Sequence, residues 1–152
     1  LLCLVETRRT WEITMNIKRM TIGTIVGGIV LYILGVVIWQ MLFADFFAAN
    51  AGSATGVAKE MPVIWAIALG SLLYAKLITY VLETGSGTKS VMDGLKAGAV
   101  VGLLLWGTVD FIYYGYFNLN NLTGVIADTV LEGVRGGIVG AVIAGVLAKV
   151  GD

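Results

Sequence analysis

Four apolar segments, each of about 20 residues or more, determine what this chain can fold into. They lie at about residues 22–43, 62–82, 96–117 and 124–150. A helix of about 20 apolar residues is long enough to cross the hydrocarbon core of a bilayer. Lipid offers no hydrogen-bond partners to open backbone groups, so such segments must be helical. The sequence therefore predicts an all-α integral membrane protein, a bundle of four transmembrane helices.

The composition argues against a soluble domain and against several kinds of site. Of the 152 residues, 58% are hydrophobic and 13% are charged, whereas about 25% of residues are charged in soluble domains. Ten basic residues balance ten acidic ones, so no nucleic-acid partner is indicated. Histidine is absent and Cys3 is the single cysteine, which leaves little support for haem, a metal centre or a disulfide. We expect no cofactor, no metal and, since no nucleophile–base pair is visible, no enzymatic activity.

The segments outside the spans are polar or suited to the membrane interface. We expect residues 1–20 to form a polar leader ahead of a single transmembrane domain, residues 21–152. Residues 1–14 do not resemble a cleaved signal peptide and either belong to that leader or reflect a start site assigned upstream of Met15. The stretch "ADFFAA" between the first two spans predicts a short interfacial helix. Pro62 suits the first turn of the second span.

The positions of the basic residues predict the orientation of the bundle. With the N-terminus inside, seven basic residues lie on the inner side and one lies on the outer side; they are Arg8, Arg9, Lys18, Arg19, Lys89, Lys96 and Lys149 against Lys59. Basic residues accumulate on the cytoplasmic side of membrane proteins. We therefore expect a multi-pass protein of a bacterial inner membrane with both termini in the cytoplasm.

Three charged residues interrupt the fourth span in the stretch "DTVLEGVRGG". Asp128, Glu132 and Arg135 are spaced i, i+4 and i+7, which places them on one helical face at about 100° per residue. Asp110 lies about 10 Å from the outer end of the third span, a depth similar to that of Glu132. We expect these four side chains to meet inside the bundle, with Lys76 of the second span as a further candidate.

Small residues recur at four-residue intervals in the last two spans. Such ladders let helix backbones approach closely in lipid. The fourth helix should therefore be central or lie at an oligomer interface. The predicted packing positions are Gly94, Gly98 and Gly102 in the third span and Gly133, Gly136, Gly137, Gly140 and Gly145 in the fourth.

The charged group has two interpretations, and both stay open at this point. Charges at such depth cost about 2.5–3.5 kcal/mol each on insertion scales, so they should face the interior and pair. In the first interpretation Arg135 neutralises Glu132 and Asp110 and so holds the helices together, while Lys76 extends towards the inner interface. In the second, the group forms an outward-opening pocket for a cation, a proton or a small polar solute. Three acids and one arginine sum to a formal charge of −2, which favours a cation over an anion.

Several of these segments resemble a known family. The resemblance rests on Trp39-x-x-x-Phe43, on "KEMPVIWAIALGSLLYAKLI", on the glycine-led third span and on "EGVRGGIVGAVIAG". Together they make residues 16–150 similar to the small bacterial membrane proteins known as domain of unknown function 1761. The resemblance implies a four-helix integral membrane fold without an assigned activity, and it assigns a role to no residue.

Two function hypotheses follow from the sequence. The first is a non-enzymatic accessory or scaffolding subunit of a membrane complex, or a homo-oligomer whose buried charges specify packing. The second is a small transporter or channel-like protein that uses Asp110, Asp128 and Glu132 as a cation or proton site with Arg135 as counter-charge.

Overall fold

A computed structural model describes residues 16–85 and 90–150 of the chain. Four of its helical stretches are long and apolar enough to cross a membrane, and the predicted all-α, four-span membrane bundle is confirmed. Residues 1–15, 86–89 and 151–152 lie outside the described residues; they include most of the predicted leader and Lys89. The helices are α1 (Ile17–Gly35), α2 (Ala44–Ala49), α3 (Ile64–Thr84), α4 (Val91–Tyr116) and α5 (Leu122–Leu147).

The first span is a composite of two kinds of helix. After Gly35, α1 continues as a π-helical segment, Val36–Leu42. Phe43 then closes that segment through its N–H, which donates to the carbonyl of Ile38 at 2.9 Å. Wide turns of this kind are rare and occur frequently at functional sites. The segment lies at the end of the bundle that also carries α2, hereafter the α2 end.

Side-chain caps place the helix starts away from the predicted boundaries. Asn16 accepts from the N–H of Arg19 and starts α1 five residues before the predicted start, so residues 17–20 of the expected leader are helical. Ser90 and Asp93 form a capping box that starts α4 at Val91 rather than at 96. Such caps satisfy amide groups that the first helical turn leaves free.

The predicted position of Pro62 in the first turn of the second span is wrong. The helix α3 begins at Ile64 with Val63 as its N-cap, so Pro62 precedes the helix instead of lying in its first turn. The short helix predicted for "ADFFAA" is confirmed as α2. The side-chain oxygen of Asn50, the C-cap of α2, accepts a hydrogen bond from the side chain of Asn121 at 3.0 Å. This bond joins the end of α2 to the turn before α5.

The core lies where α1, α3 and α5 meet. Its largest fully buried side chains include Leu31, Ile78, Val139 and Ile143. In the most apolar part of α5, 56% of the residues are buried, against 11% in α4. Helix α5 is therefore the central element, while α4 packs mainly on α5 and α1 packs mainly on α3.

Arg19 closes the opposite end of the bundle. Its guanidinium bonds the carboxylate of Glu83 on α3 at 2.9 and 3.1 Å. It also donates to the carbonyls of Leu147 and Val150, where α5 ends, at 2.9 and 2.7 Å. One side chain of α1 thus joins three helices. A positive charge at the C-terminal end of a helix, such as Arg19 at the end of α5, is stabilising.

Candidate functional site

Glycine contacts fix α5 against α4. A Cβ built on Gly98 would lie 2.0 Å from the carbonyl oxygen of Gly136, and one built on Gly94 would lie 2.2 Å from that of Gly140. The two backbones are therefore in direct contact, as small residues permit in lipid. The remaining predicted packing positions also lie between these helices: Gly102 faces the carbonyl of Glu132, Gly133 faces Leu103, Gly137 faces Leu95 and Ala99, and Gly145 faces Val91.

This contact turns the charged face of α5 towards α1 and α3. A cavity of about 510 Å³ opens there, between the π-helical segment, α3 and α5. It extends from Pro62 and Gln40 at the α2 end to Tyr74 on α3. The lining residues are Tyr32, Gly35, Val36, Trp39, Gln40, Pro62, Ile64, Ile67, Gly70, Ser71, Tyr74, Trp106, Asp128, Glu132 and Arg135.

Arg135 is the most connected side chain of the cavity. Its Nη1 donates to Oε1 of Glu132 at 2.6 Å, one helical turn away. Its Nε and Nη2 both donate to the carbonyl oxygen of Leu31 on α1, at 3.2 and 2.8 Å. The guanidinium also lies 5.2 Å from the ring centroid of Trp39, within range of a cation–π interaction. The backbone of Gly35 leaves room for it, since a Cβ there would lie 3.1 Å from Nη2.

Glu132 is buried but only half satisfied. The residue is 3% exposed, and its Oε2 has no hydrogen-bond partner among the described residues. The indole N–H of Trp106 and the hydroxyl of Tyr74 are likewise buried and without a partner there. A buried polar group without a partner costs about 1–3 kcal/mol, so such groups call for an explanation such as a water or a ligand. Three of them occur in residues that line one cavity.

Asp128 and Asp110 form an acidic pair beside Glu132 and Arg135. Asp128 accepts a hydrogen bond from the indole Nε1 of Trp39, and Asp110 accepts one from the hydroxyl of Thr129 at 2.8 Å. The two carboxyl groups lie close enough to interact electrostatically. Adjacent carboxylates repel, and a proton or a cation held near them removes that repulsion.

The structure thus brings Asp110, Asp128, Glu132 and Arg135 to one region, and Lys76 does not join them. Lys76 is exposed and lines a separate groove, with Met20, Thr21 and Thr24 of α1. The reason is its helical phase: Lys76 lies two positions after Tyr74 and therefore about 200° around the helix from it. The structure therefore corrects the prediction that named Lys76 as a further member of the polar group.

Trp39 is a residue of the candidate site that sequence reasoning missed, because an aromatic residue near a span end is typical of the interfacial belt. Its indole instead bonds Asp128 and its ring faces Arg135. The one sequence signal was position, since Trp39 and Asp128 lie near the same end of their spans.

Within residues 16–85 and 90–150, no three acidic or cysteine side chains are grouped so as to hold a metal ion. The chain was compared with known protein families, curated proteins and solved structures, and none of the three comparisons found a match.

Proposed function

We propose that the protein is a small membrane transport protein that binds a positively charged species in the cavity beside α5. The observation that carries this proposal is the cavity itself, about 510 Å³ in volume, which extends from the α2 end to a buried and half-satisfied carboxylate. An ion pair that served only to join helices would be enclosed by packed side chains, because protein interiors leave few voids larger than a water molecule.

The charges beside the cavity support a cationic ligand. Asp110, Asp128 and Glu132 stand against Arg135 alone, so the formal sum is −2. Arg135 is already engaged with Glu132 and with the carbonyl of Leu31. Arg135 therefore does not balance the full negative charge of the three acids. Ionisable groups at membrane depth commonly mark ion or substrate pathways.

The depth of the cavity supports access from one side of the membrane. Ile64 and Tyr74 both line the cavity and lie ten positions apart on α3, or about 15 Å at 1.5 Å per residue. In the orientation that the basic residues predict, the α2 end faces the outside. A ligand would then enter from the outer side and reach the middle of the bilayer without crossing lipid.

Flux through proteoliposomes tests the proposal. Vesicles containing the wild type should carry at least one of three cationic probes, namely protons, Rb⁺ or an organic cation such as benzylammonium. Glu132→Gln should abolish that flux while the protein still inserts and migrates as the wild type does. Glu83→Gln is the matched control, because it removes a carboxylate at the opposite end of the bundle. Absence of flux of all three probes in the wild type, or flux that Glu132→Gln leaves unchanged, would overturn the proposal.

An accessory or scaffolding subunit, or a homo-oligomer, is the second candidate function. One observation favours it: Arg135 of α5 pairs with Glu132 and also donates to the carbonyl oxygen of Leu31 on α1, so it joins two helices. The glycine faces of α4 and α5 add no support for self-association, because they pack against each other inside the protomer. Loss of assembly with a partner in Glu132→Gln, without any flux in the wild type, would decide for this alternative.

A further inference from the structure

We infer that the ligand of this cavity is an organic amine in its protonated form, an ammonium group attached to an apolar or aromatic body. The inference rests on the proposed function and specifies its substrate class. It follows from four properties of the cavity: its volume, its lining, its charge and the one free oxygen of Glu132.

The volume is larger than a site for a bare inorganic ion requires. Such an ion is held by a close shell of oxygen atoms, as the preference of hard cations for six to eight oxygen ligands illustrates. A cavity of about 510 Å³ is instead typical of pockets for small organic molecules, which measure about 300–1,000 Å³.

The lining is mostly apolar and aromatic. Trp39, Trp106, Tyr32 and Tyr74 contribute rings, and Ile64 and Ile67 contribute aliphatic surface. Water gains few hydrogen bonds from such walls, whereas an apolar ligand body buries surface against them. The ring of Trp39 already lies beside Arg135, so the rings of Trp106 and Tyr32 remain for a ligand cation, which aromatic faces attract.

Glu132 specifies the head group. Its Oε1 is bonded to Arg135, whereas its Oε2 is buried and lacks a donor. Glu132 is more than nine-tenths buried, and it lines the cavity. A protonated primary, secondary or tertiary amine brings both the positive charge and the N–H that this oxygen lacks. A quaternary ammonium brings only the charge.

Binding measurements with three matched probes test this inference. The protein is placed in lipid nanodiscs near neutral pH, and the probes are N,N-dimethylbenzylammonium, benzyltrimethylammonium and benzyl alcohol. They share the aromatic body and differ in charge and in the N–H donor. Isothermal titration calorimetry against empty nanodiscs as blank separates binding to the protein from partition into lipid.

The tertiary ammonium should bind saturably, and the quaternary probe should bind about tenfold more weakly, as loss of one charge-assisted hydrogen bond predicts. Benzyl alcohol should show no saturable binding. Glu132→Gln should weaken the tertiary ammonium at least about tenfold, whereas Glu83→Gln should leave its Kd unchanged. Equal affinity for benzyl alcohol and the tertiary ammonium, or an unchanged Kd in Glu132→Gln, would overturn the inference.

Two further measurements keep the outcome decisive. If Glu132→Gln does not fold, the double variant Glu132→Gln/Arg135→Gln removes both charges of the pair, and Trp106→Leu removes a ring without touching the acids. Both should weaken the tertiary ammonium, and an unchanged Kd in both would overturn the inference. Glu132-dependent proton or Rb⁺ flux without amine binding would overturn it and leave the proposed function standing. Absence of both would overturn the two together.

Discussion

Arg135 donates two hydrogen bonds to a single backbone oxygen, that of Leu31, at 3.2 and 2.8 Å. Leu31 is fully buried on α1, and Arg135 lies midway along α5. The same guanidinium holds Glu132 through its third nitrogen. One side chain therefore joins α1 to α5 and neutralises a buried carboxylate at the deep end of the cavity.

Removing Arg135 should destabilise the bundle strongly. Arg135→Met leaves Glu132 buried without its counter-charge, and breaking a buried ion pair in this way costs about 3–5 kcal/mol. The free energy of unfolding, measured in mixed detergent micelles, should fall by that amount. Lys96→Met is the matched control, since Lys96 is exposed, and it should change stability by less than about 0.5 kcal/mol. Equal effects of the two substitutions would show that the buried pair contributes nothing to the fold.

A single methyl group at Gly98 should separate α4 from α5. The Cβ of Gly98→Ala would meet the carbonyl of Gly136, a backbone atom that cannot move aside without moving the helix. We expect a loss of about 1–3 kcal/mol from overpacking, measured by thermal unfolding. Gly115→Ala on the same helix meets nothing within 4 Å and should stabilise the helix by up to about 1 kcal/mol. A neutral Gly98→Ala would mean that the two backbones are not in contact.

Trp39 should contribute through its indole N–H as well as through its ring. Trp39→Phe keeps an aromatic ring but removes the donor to Asp128, so the unfolding free energy should fall by about 0.5–1.5 kcal/mol. Trp65 is 72% exposed, and Trp65→Phe should be close to neutral. Both variants are compared by denaturant unfolding of the purified protein. Similar stabilities for the two would place Trp39 in the lipid interface instead of at Asp128.

Neutralising Asp110 should stabilise the protein. In Asp110→Asn the amide oxygen can still accept from Thr129, while the repulsion with Asp128 disappears. We expect the unfolding free energy to rise by about 1 kcal/mol, which is less than the interaction of about 4 kcal/mol between two unit charges about 4 Å apart at an effective dielectric constant of about 20. Asp45→Asn on α2, where the residue is exposed, is the control and should change stability by less than about 0.5 kcal/mol. A clear loss of stability in Asp110→Asn would show that its charge is paired in the folded protein.

Hydropathy and length were sufficient to predict the four spans, because the hydrocarbon core imposes both on any helix that crosses it. The helix starts were displaced because capping depends on single side chains such as Asn16 and Ser90, which lie outside the apolar stretches. The π-helical segment after Gly35 carries no proline and no other local sign. It belongs to the packing of α1 as a whole and could not be predicted from its own residues.

The candidate site was predictable in part for a similar reason. Helical periodicity alone places Asp128, Glu132 and Arg135 on one face, and the face of Lys76 could have been resolved by the same argument relative to Tyr74. The partner of Arg135 on α1 could not be predicted, because a backbone carbonyl has no signature in the sequence. The cavity could not be predicted either, since it is a gap in the packing between three helices.

The glycine contact between α4 and α5 determines where the bundle can and cannot be repacked. Those two helices touch through backbone atoms, so no layer of side chains lies between them that could rearrange. Helix α1 packs along α3, with few contacts between α3 and α4, and the two pairs meet mainly along α1 and α5. Any change in the width of the cavity must therefore repack the buried residues Leu31, Val139 and Ile143 between those two helices. It must also break the hydrogen bonds from Arg135 to Leu31, which cross the same interface.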